Sequence, residues 1–160
     1  MMNVTVTEAG SGDLETVLTG VRDLLRELSG DPARTLGTGA REAIRAIIGD
    51  RAVGTILVAS TDAGETVGVL SASCQVAIRT AGWYLLIQEL YVRPGFREIG
   101  IGQQLIRHLV SDAEERGLPL IEVGLPGSGF ESHSRTRSFY LRQGFTDVGP
   151  RMRCVVQEGE

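Results

Sequence analysis

The segment at residues 88–105 most constrains what this chain can fold into, because a strand pattern there runs through a short loop into a helix pattern. Residues 83–92 form an apolar, strand-like run that stops at Pro94-Gly95. Apolar residues then recur at helical spacing over 101–117, and 120–125 is the next apolar run. A strand, a helix and a strand in this order fold as a right-handed crossover. We therefore expect strands 83–92 and 120–125 to be parallel.

The rest of the chain surrounds this unit with further strands and helices. The short spacing between the strand-like runs at 55–60, 66–77 and 83–92 favours antiparallel hairpins. The element order β-α-α-β-β-β-α-β-α-β-β predicts a single α+β domain over residues 1–160. The other predicted elements are a strand at 4–7, helices at 14–28, around 43–48 and at 134–143, and final strands near 145–148 and 151–156.

Composition excludes several classes of function. The sixteen basic residues are all arginine, which excludes a Schiff-base lysine and a P-loop lysine. A net charge of −4 argues against non-specific binding of nucleic acid or anionic membranes. No apolar stretch approaches the ~18 residues that cross a bilayer, and the N-terminus does not resemble a signal peptide. We expect a soluble, cytoplasmic protein.

The cysteines and histidines are few. Cys74 and Cys154 are far apart in sequence, and free buried thiols in a reducing cytosol are the favoured interpretation, although a single disulfide stays open. With only two histidines besides, these side chains are too scattered to suggest a metal site.

Residues 97–102 read Arg-x-x-Gly-x-Gly at the start of the predicted third helix. Free backbone N–H groups at a helix N-terminus form an anion site, which Gly100 and Gly102 would open to a phosphate and Arg97 would assist. From glycine alone, a simple strand-to-helix turn is an equal alternative. A dinucleotide fingerprint needs a third glycine where Leu105 stands, and a Walker loop needs a lysine, so neither motif is present.

This motif and the downstream run Ser138 to Phe145, SFYLRQGF, together resemble the acetyl-CoA-binding core of the GNAT superfamily of N-acetyltransferases. The resemblance covers most of the chain and is strongest over 83–146. It implies a three-layer fold in which about four helices pack on a mixed, mostly antiparallel sheet with a central, splayed parallel strand pair. It also implies acetyl-CoA as cofactor and transfer of its acetyl group to a primary amine of a small molecule or a protein.

The resemblance places coenzyme A on three parts of the chain. The amides of 97–103 would hold the pyrophosphate, the strand end at 90–92 would pair with pantetheine, and the rings at 139–140 would flank the thioester. The cofactor-binding residues implied are Leu90, Tyr91, Val92, Arg97, Glu98, Ile99, Gly100, Ile101, Gly102, Gln103, His133, Phe139 and Tyr140.

Two positions depart from the family pattern. Glu98 stands where the family often has glycine, and we expect its carboxylate to face solvent, away from the pyrophosphate. His133 stands where the family often has asparagine, and it could contact the cofactor or act in catalysis. Arg135 and Arg137 could reach the 3′-phosphate of coenzyme A, or could lie on a solvated helix face.

Two residues are the candidate catalytic groups. Tyr140 is the candidate general acid toward the leaving thiolate, since a phenol is protonated at neutral pH; a packed aromatic is the alternative. Glu89, an acidic residue in an apolar strand, is the candidate base, acting directly or through water, because burial would raise its pKa. Alternatively it pairs with an arginine such as Arg79 or faces solvent, and Glu122 is then the other candidate base.

Other functions on the same fold stay open. A non-catalytic acyl-CoA-binding or sensing domain would keep 97–102 but need neither Glu89 nor Tyr140. A toxin-like enzyme acting on charged tRNA would need a basic face, against which the net charge argues. The acceptor should contact residues 14–49 and the hairpin at 79–82. The sequence leaves open the acceptor amine, the acyl group and the oligomeric state, including the homodimer frequent in the resembled family.

Overall fold

The computed structural model describes residues 2–157. It has strands β1 to β5, helices α1 to α4 and a short 3₁₀ helix, Ser11–Asp13, before α1. In chain order the elements are β1 Val4–Glu8, α1 Leu14–Ser29, α2 Ala40–Gly49, β2 Gly54–Thr61, β3 Thr66–Ala77, β4 Gly82–Val92, α3 Ile101–Glu115, β5 Ile121–Val123 and α4 His133–Arg142.

The strands form one five-stranded sheet in the order β1-β2-β3-β4-β5. The first four strands are antiparallel, and β4 and β5 are parallel and joined through α3. The predicted parallel crossover and the predicted mixed, mostly antiparallel fold are therefore confirmed. β5 pairs with β4 only from Leu85 to Ile87, whereas β4 continues to Val92. The two strands separate beyond Ile87 and leave that edge of β4 open.

A β-bulge at Gln88 changes the faces of β4. Ser71 of β3 is opposite Glu89, but its neighbour Ala72 is opposite Ile87, so Gln88 is an extra residue. Leu85 and Ile87 before the bulge share the α3 side of the sheet with Leu90 and Val92 after it. Glu89 consequently lies on the opposite side, where α1 and α2 pack.

The sheet has a hydrophobic core on each side. On one side α3 buries Leu105 and Leu109 against Leu70 and Leu85 of the sheet, in a core that also includes Tyr140 of α4. We call this side the α3 face. On the other side, the α1 face, Val17 and Ile44 of the first two helices pack against three sheet residues, Ile56, Val58 and Val69. The apolar stripes that predicted these helices are thus the surfaces that bury them.

The two final strands predicted near 145–148 and 151–156 are wrong, because these residues are irregular. Val148 is 73% exposed, Met152 100% and Val156 89%. Alternating apolar residues form a strand only where a partner strand and a buried face exist. Because β5 is only three residues long, it offers residues 145–156 little strand edge for pairing. Within residues 2–157 β5 is therefore an edge strand, and the parallel pair lies at one side of the sheet.

The cysteines are both free. The expected burial is wrong for Cys154, which is exposed in the irregular C-terminal segment, while Cys74 on β3 is half-buried. In the part of the chain that the structure describes, no helix combines the length and the apolar character needed to cross a membrane.

Candidate active site

A cavity of about 420 Å³ opens where β4 separates from β5. Its walls are the end of α1, the end of β4, the loop at 97–100, the first turn of α3 and the inner side of α4. The predicted site residues that line it are Leu90, Tyr91, Val92, Arg97, Glu98, Gly100, Ile101, Gly102, Gln103, Phe139 and Tyr140. A second, larger cleft of about 970 Å³ runs along β5 and the C-terminal segment and reaches the first cavity at Tyr140.

The loop before α3 has the backbone that an anion site requires. Gly100 has a positive φ of 91° and precedes the helix, and a side chain there would meet nothing within 4 Å. The Gln104 backbone N–H donates to Gly100 O at 3.0 Å, which is the first hydrogen bond of the helix. The backbone N–H groups of 101–103 have no acceptor within the helix and are therefore available to a ligand. Glu98 also has a positive φ, 63°, which explains why glycine suits this position. Its side chain is exposed, yet Glu98 also lines the cavity, so the expected orientation away from the pyrophosphate stays a prediction.

Gly102 has a packing role that the sequence motif does not reveal. A Cβ atom at this position would lie 3.1 and 3.3 Å from two ring atoms of Phe139. The absence of a side chain therefore lets α4 approach α3 and brings Phe139 and Tyr140 to the cavity.

The Arg97 side chain is already engaged within the protein. Its Nε donates to Val92 O at 2.7 Å, and its two terminal nitrogens donate to the carboxylate of Glu27 on α1 at 2.7 and 2.6 Å. The guanidinium also lies over the Tyr91 ring, 5.6 Å from its centroid. The hydrogen bonds to Glu27 raise the pKa of Arg97. Sequence reasoning did not find Glu27, because it is 70 residues from its partner.

Arg142, at the end of α4, lines the cavity, and so does Arg135 of the same helix, which the sequence had singled out. Arg135 has no hydrogen-bond or ion-pair partner among residues 2–157. Arg137, the other arginine singled out in the sequence, lines the second cleft instead and forms an ion pair with Asp147.

Tyr140 is only 5% exposed and lines both this cavity and the second cleft. Its ring packs edge-on against Phe139 and Phe145, with centroid distances of 5.1 and 5.2 Å. Among residues 2–157 its hydroxyl has no hydrogen-bond partner, yet it is not a buried unsatisfied atom, so the oxygen keeps some exposed surface. Burial raises the pKa of Tyr140 well above its ordinary value, which keeps the phenol protonated.

Glu89 lies on the α1 face and is half-buried. The Ser71 hydroxyl, directly across on β3, donates a hydrogen bond to its carboxylate. Burial raises the pKa of Glu89, and the hydrogen bond from Ser71 opposes this rise only in part. Beside it, the amides of Gln75 and Gln88 donate to Ser73 Oγ at 3.0 and 2.9 Å. A polar strip therefore follows β3 and β4 next to this carboxylate.

Glu122 of β5 differs from Glu89 in its partner. Arg79 donates two hydrogen bonds to its carboxylate, at 2.8 and 2.9 Å, and one to the Tyr84 hydroxyl at 3.2 Å. The Arg79 hydrogen bonds lower the pKa of Glu122. A carboxylate stabilised in its charged form is a weak proton acceptor. The arginine considered as a partner for Glu89 is thus the partner of the alternative base.

Two predicted cofactor contacts are not brought to the cavity. The His133 ring lies with Nδ1 2.7 Å from Pro126 O and lines the second cleft rather than the first, so its expected role at the cofactor or in catalysis stays a prediction. The Ile99 side chain is 56% exposed and also lies outside the cavity lining. Within residues 2–157 no three metal-ligating side chains come together.

Comparison with known proteins places these features in context. A family model for the acetyltransferase (GNAT) domain matches residues 52–147. No curated protein sequence matches the chain significantly.

Several solved structures share the fold. A predicted acetyltransferase from Clostridium acetobutylicum, solved with acetyl-CoA, has a TM-score of 0.77 at 17% identity, covering 98% of this chain and 97% of that one. An aminoglycoside acetyltransferase from an uncultured soil metagenomic sample has a TM-score of 0.75 at 20% identity, covering 98% and 100%. A ribosomal-protein-alanine N-acetyltransferase from Brucella melitensis biovar Abortus 2308 has a TM-score of 0.68 at 19% identity, covering 98% and 100%.

Proposed function

The chain belongs to the GNAT acetyltransferase family, since the family model covers residues 52–147 of its 160, and on this basis we propose that it transfers the acetyl group of acetyl-CoA to a primary amine. The family uses acetyl-CoA. The observation that carries the proposal for this chain is that Tyr140, whose hydroxyl has no protein partner among residues 2–157, lines the same cavity as the open edge of β4 and the start of α3.

The residues around the cavity fit coenzyme A. The amides of 101–103 and the unpaired guanidinium of Arg135 offer hydrogen-bond donors and positive charge to phosphate groups. The open edge of β4 at 90–92 offers backbone groups to the amides of pantetheine, in the manner of an added strand, except for the Val92 carbonyl, which accepts a hydrogen bond from Arg97 Nε. Leu90 and Phe139 supply apolar contact between these two ends.

Acetyl-CoA, when bound, supplies an activated thioester carbonyl to the amine and a sulfur that leaves as a thiolate. Tyr140 holds a proton on its hydroxyl at neutral pH, because burial raises the pKa of the phenol. We assign it the role of general acid toward the sulfur. A phenol suits this role because it is protonated at neutral pH and can donate its O–H to the sulfur as the C–S bond breaks.

Glu89 is assigned the role of proton acceptor, directly or through one water. An amine attacks only in its neutral form, so an ammonium must first lose a proton, and a carboxylate with a raised pKa accepts it more readily. In the complete reaction a C–N bond forms and a C–S bond breaks, and the ammonium nitrogen loses two protons. Glu89 accepts the first, before attack. The second, lost after attack, replaces the proton that Tyr140 gives to the sulfur. Ser71 fixes the position of the accepting carboxylate.

We assign the acceptor to the α1 face of the sheet. Helices α3 and α4 border the cavity from the opposite face, the α3 face. Gln75 and Gln88 direct their N–H groups to Ser73, which leaves amide oxygens beside Glu89 for a donor-rich ligand. An ammonium flanked by hydroxyl or amide groups matches this polar strip, and the net charge of −4 favours a cation. Both a small-molecule amine and a protein amine fit these requirements.

The test is a screen for thiol release from acetyl-CoA across aminoglycosides, polyamines, amino acids and peptides, with the acetylated product identified by mass spectrometry. We expect amine-dependent release of free coenzyme A for at least one class, with the acetyl group on nitrogen. A protein that binds acetyl-CoA but releases thiol at the same slow rate with every amine would contradict the proposal.

A further inference from the structure

Glu27 and Arg97 connect the acceptor side of the molecule to the coenzyme cavity. They form a bidentate ion pair, with N–O distances of 2.7 and 2.6 Å, between α1 and the loop before α3. Both side chains line the cavity. We call this contact the Glu27–Arg97 pair.

The Arg97 guanidinium also donates a hydrogen bond to a backbone carbonyl at the end of β4. Arg93 donates its N–H to Val67 O of β3 at 2.9 Å, and because successive residues of a strand point their backbone groups to opposite sides, those of Val92 face away from β3. Arg97 Nε caps this outward carbonyl at 2.7 Å. Three of the five N–H donors of the guanidinium are therefore used within the protein.

The charge around the cavity gives this pair a consequence for an anionic ligand. Glu27 and Glu98 both line the cavity, and a carboxylate there would repel the phosphates of a coenzyme. Arg97 cancels the charge of Glu27 at close range. The Arg135 guanidinium, which lines the same cavity, has no such partner in the described chain.

We infer that Arg97 is a positioning residue that serves coenzyme binding by neutralising and holding Glu27, and that it is not itself a ligand of the phosphates. This inference rests on the proposed function, because it concerns how the same cavity accepts coenzyme A. Glu27 becomes a second positioning residue, through which α1 and the coenzyme loop are held as one unit.

The test is calorimetric titration of coenzyme A into four proteins: the wild type, Arg97→Gln, Glu27→Gln and the double variant. Arg97→Gln leaves the carboxylate uncompensated, so its Kd should rise about tenfold, whereas Glu27→Gln frees the guanidinium and should lower Kd about threefold. The double variant restores neutrality and should bind within about twofold of the wild type. The binding of Glu27→Gln should also depend more steeply on salt.

A direct phosphate ligand would behave differently, and that result would overturn the inference: the double variant would then bind as weakly as Arg97→Gln. If Arg97→Gln does not fold, the Kd of Glu27→Gln for coenzyme A is the remaining test. An unchanged or higher Kd for this variant contradicts the neutralising role of Arg97. Arg93→Gln is the matched control, since Arg93 is also ion-paired, with Glu65, but lies outside the cavity lining. A wild type that does not bind coenzyme A would defeat the proposed function itself, a result distinct from a failed rescue.

Discussion

The two faces of the sheet handle their polar groups in opposite ways. On the α3 face, Arg135 and the Tyr140 hydroxyl border the cavity without a protein partner among residues 2–157. On the α1 face, the carboxylates of Glu89 and Glu122 are already bound, by Ser71 and Arg79 respectively. On the proposed coenzyme side these two groups are thus open to a ligand, although Arg97 and Glu27 already pair there, whereas both carboxylates on the proposed acceptor side have partners within the protein.

The largest expected effect is on the α3 face. Tyr140→Phe removes the proton donor but keeps the ring packing against Phe139 and Phe145, so kcat should fall about 10³-fold. The Kd for coenzyme A should change little, because the hydroxyl is not needed to hold the phosphates. Steady-state kinetics and calorimetry measure the two quantities separately. Equal turnover by the variant and the wild type would favour a non-catalytic acyl-CoA-binding domain.

The corresponding change on the α1 face is Glu89→Gln. Because burial raises the pKa of Glu89, wild-type kcat/KM should fall as pH drops through a value above the ordinary carboxyl pKa of about 4.3. The variant should lose about 10²-fold in kcat/KM at neutral pH and lose this acidic limb. Glu122→Gln is the control. It removes the carboxylate that pairs with Arg79, and its kcat/KM should still fall at acidic pH as in the wild type. An acidic limb retained by Glu89→Gln would exclude Glu89 as the base.

The same raised pKa predicts a stability effect with a defined sign. A buried carboxyl whose folded pKa is raised contributes stability below its unfolded pKa and loses it as pH rises through the folded value. Glu89→Gln should therefore have a higher Tm than the wild type at neutral pH, and the difference should shrink toward low pH. Thermal melts across the pH range measure this. A lower Tm of the variant at neutral pH would show that the hydrogen bond from Ser71 outweighs burial.

A moderate effect is expected for the unpaired cation of the α3 face. Arg135→Gln should raise the Kd for coenzyme A about fivefold and make binding less dependent on salt, because one charged phosphate contact is lost. Arg137→Gln, two positions along the same helix, should leave Kd unchanged, since Arg137 pairs with Asp147 outside the cavity. Equal losses in both variants would mean that general helix charge, rather than one contact, attracts the coenzyme.

The smallest effect is expected at Glu98. Its left-handed φ of 63° is strained for a residue with a side chain, and Glu98→Gly relieves this strain while it makes the unfolded chain more flexible. Stability should therefore change by less than about 1 kcal/mol. Removing the carboxylate from the cavity should tighten coenzyme A binding about twofold to threefold. Weaker binding would indicate that the Glu98 side chain contributes to the loop conformation that the amides require.

The contrast between the two faces also explains what the sequence could predict. The motif at 97–102 and the strand–helix–strand crossover show in local patterns, and the sequence predicted them; Tyr140 was singled out through the resemblance of residues 138–145 to the family. Glu89–Ser71, Arg79–Glu122 and Arg97–Glu27 join residues 18, 43 and 70 positions apart. No local pattern indicates such pairs, because they depend on how strands and helices meet in the fold.

Other features could not be predicted from local sequence for the same reason. The bulge at Gln88, which sets the face of Glu89, depends on the register between β3 and β4. The C-terminal segment has the alternation of a strand, but its apolar residues, such as Met152 and Val156, have no surface to pack against and stay exposed. His133 likewise has a plausible sequence position, yet Pro126 holds it in the other cleft. Each case needed the neighbour in space, which the chain order does not show.

The most direct test of the central claim is a calorimetric titration of acetyl-CoA into the wild-type protein, accompanied by a thermal melt. Binding at a single site per chain is expected, with a rise in Tm that grows with ligand concentration, since only the folded cavity offers the amides of 101–103 and Arg135 together. No heat of binding and an unchanged Tm at millimolar acetyl-CoA would contradict the account of this cavity.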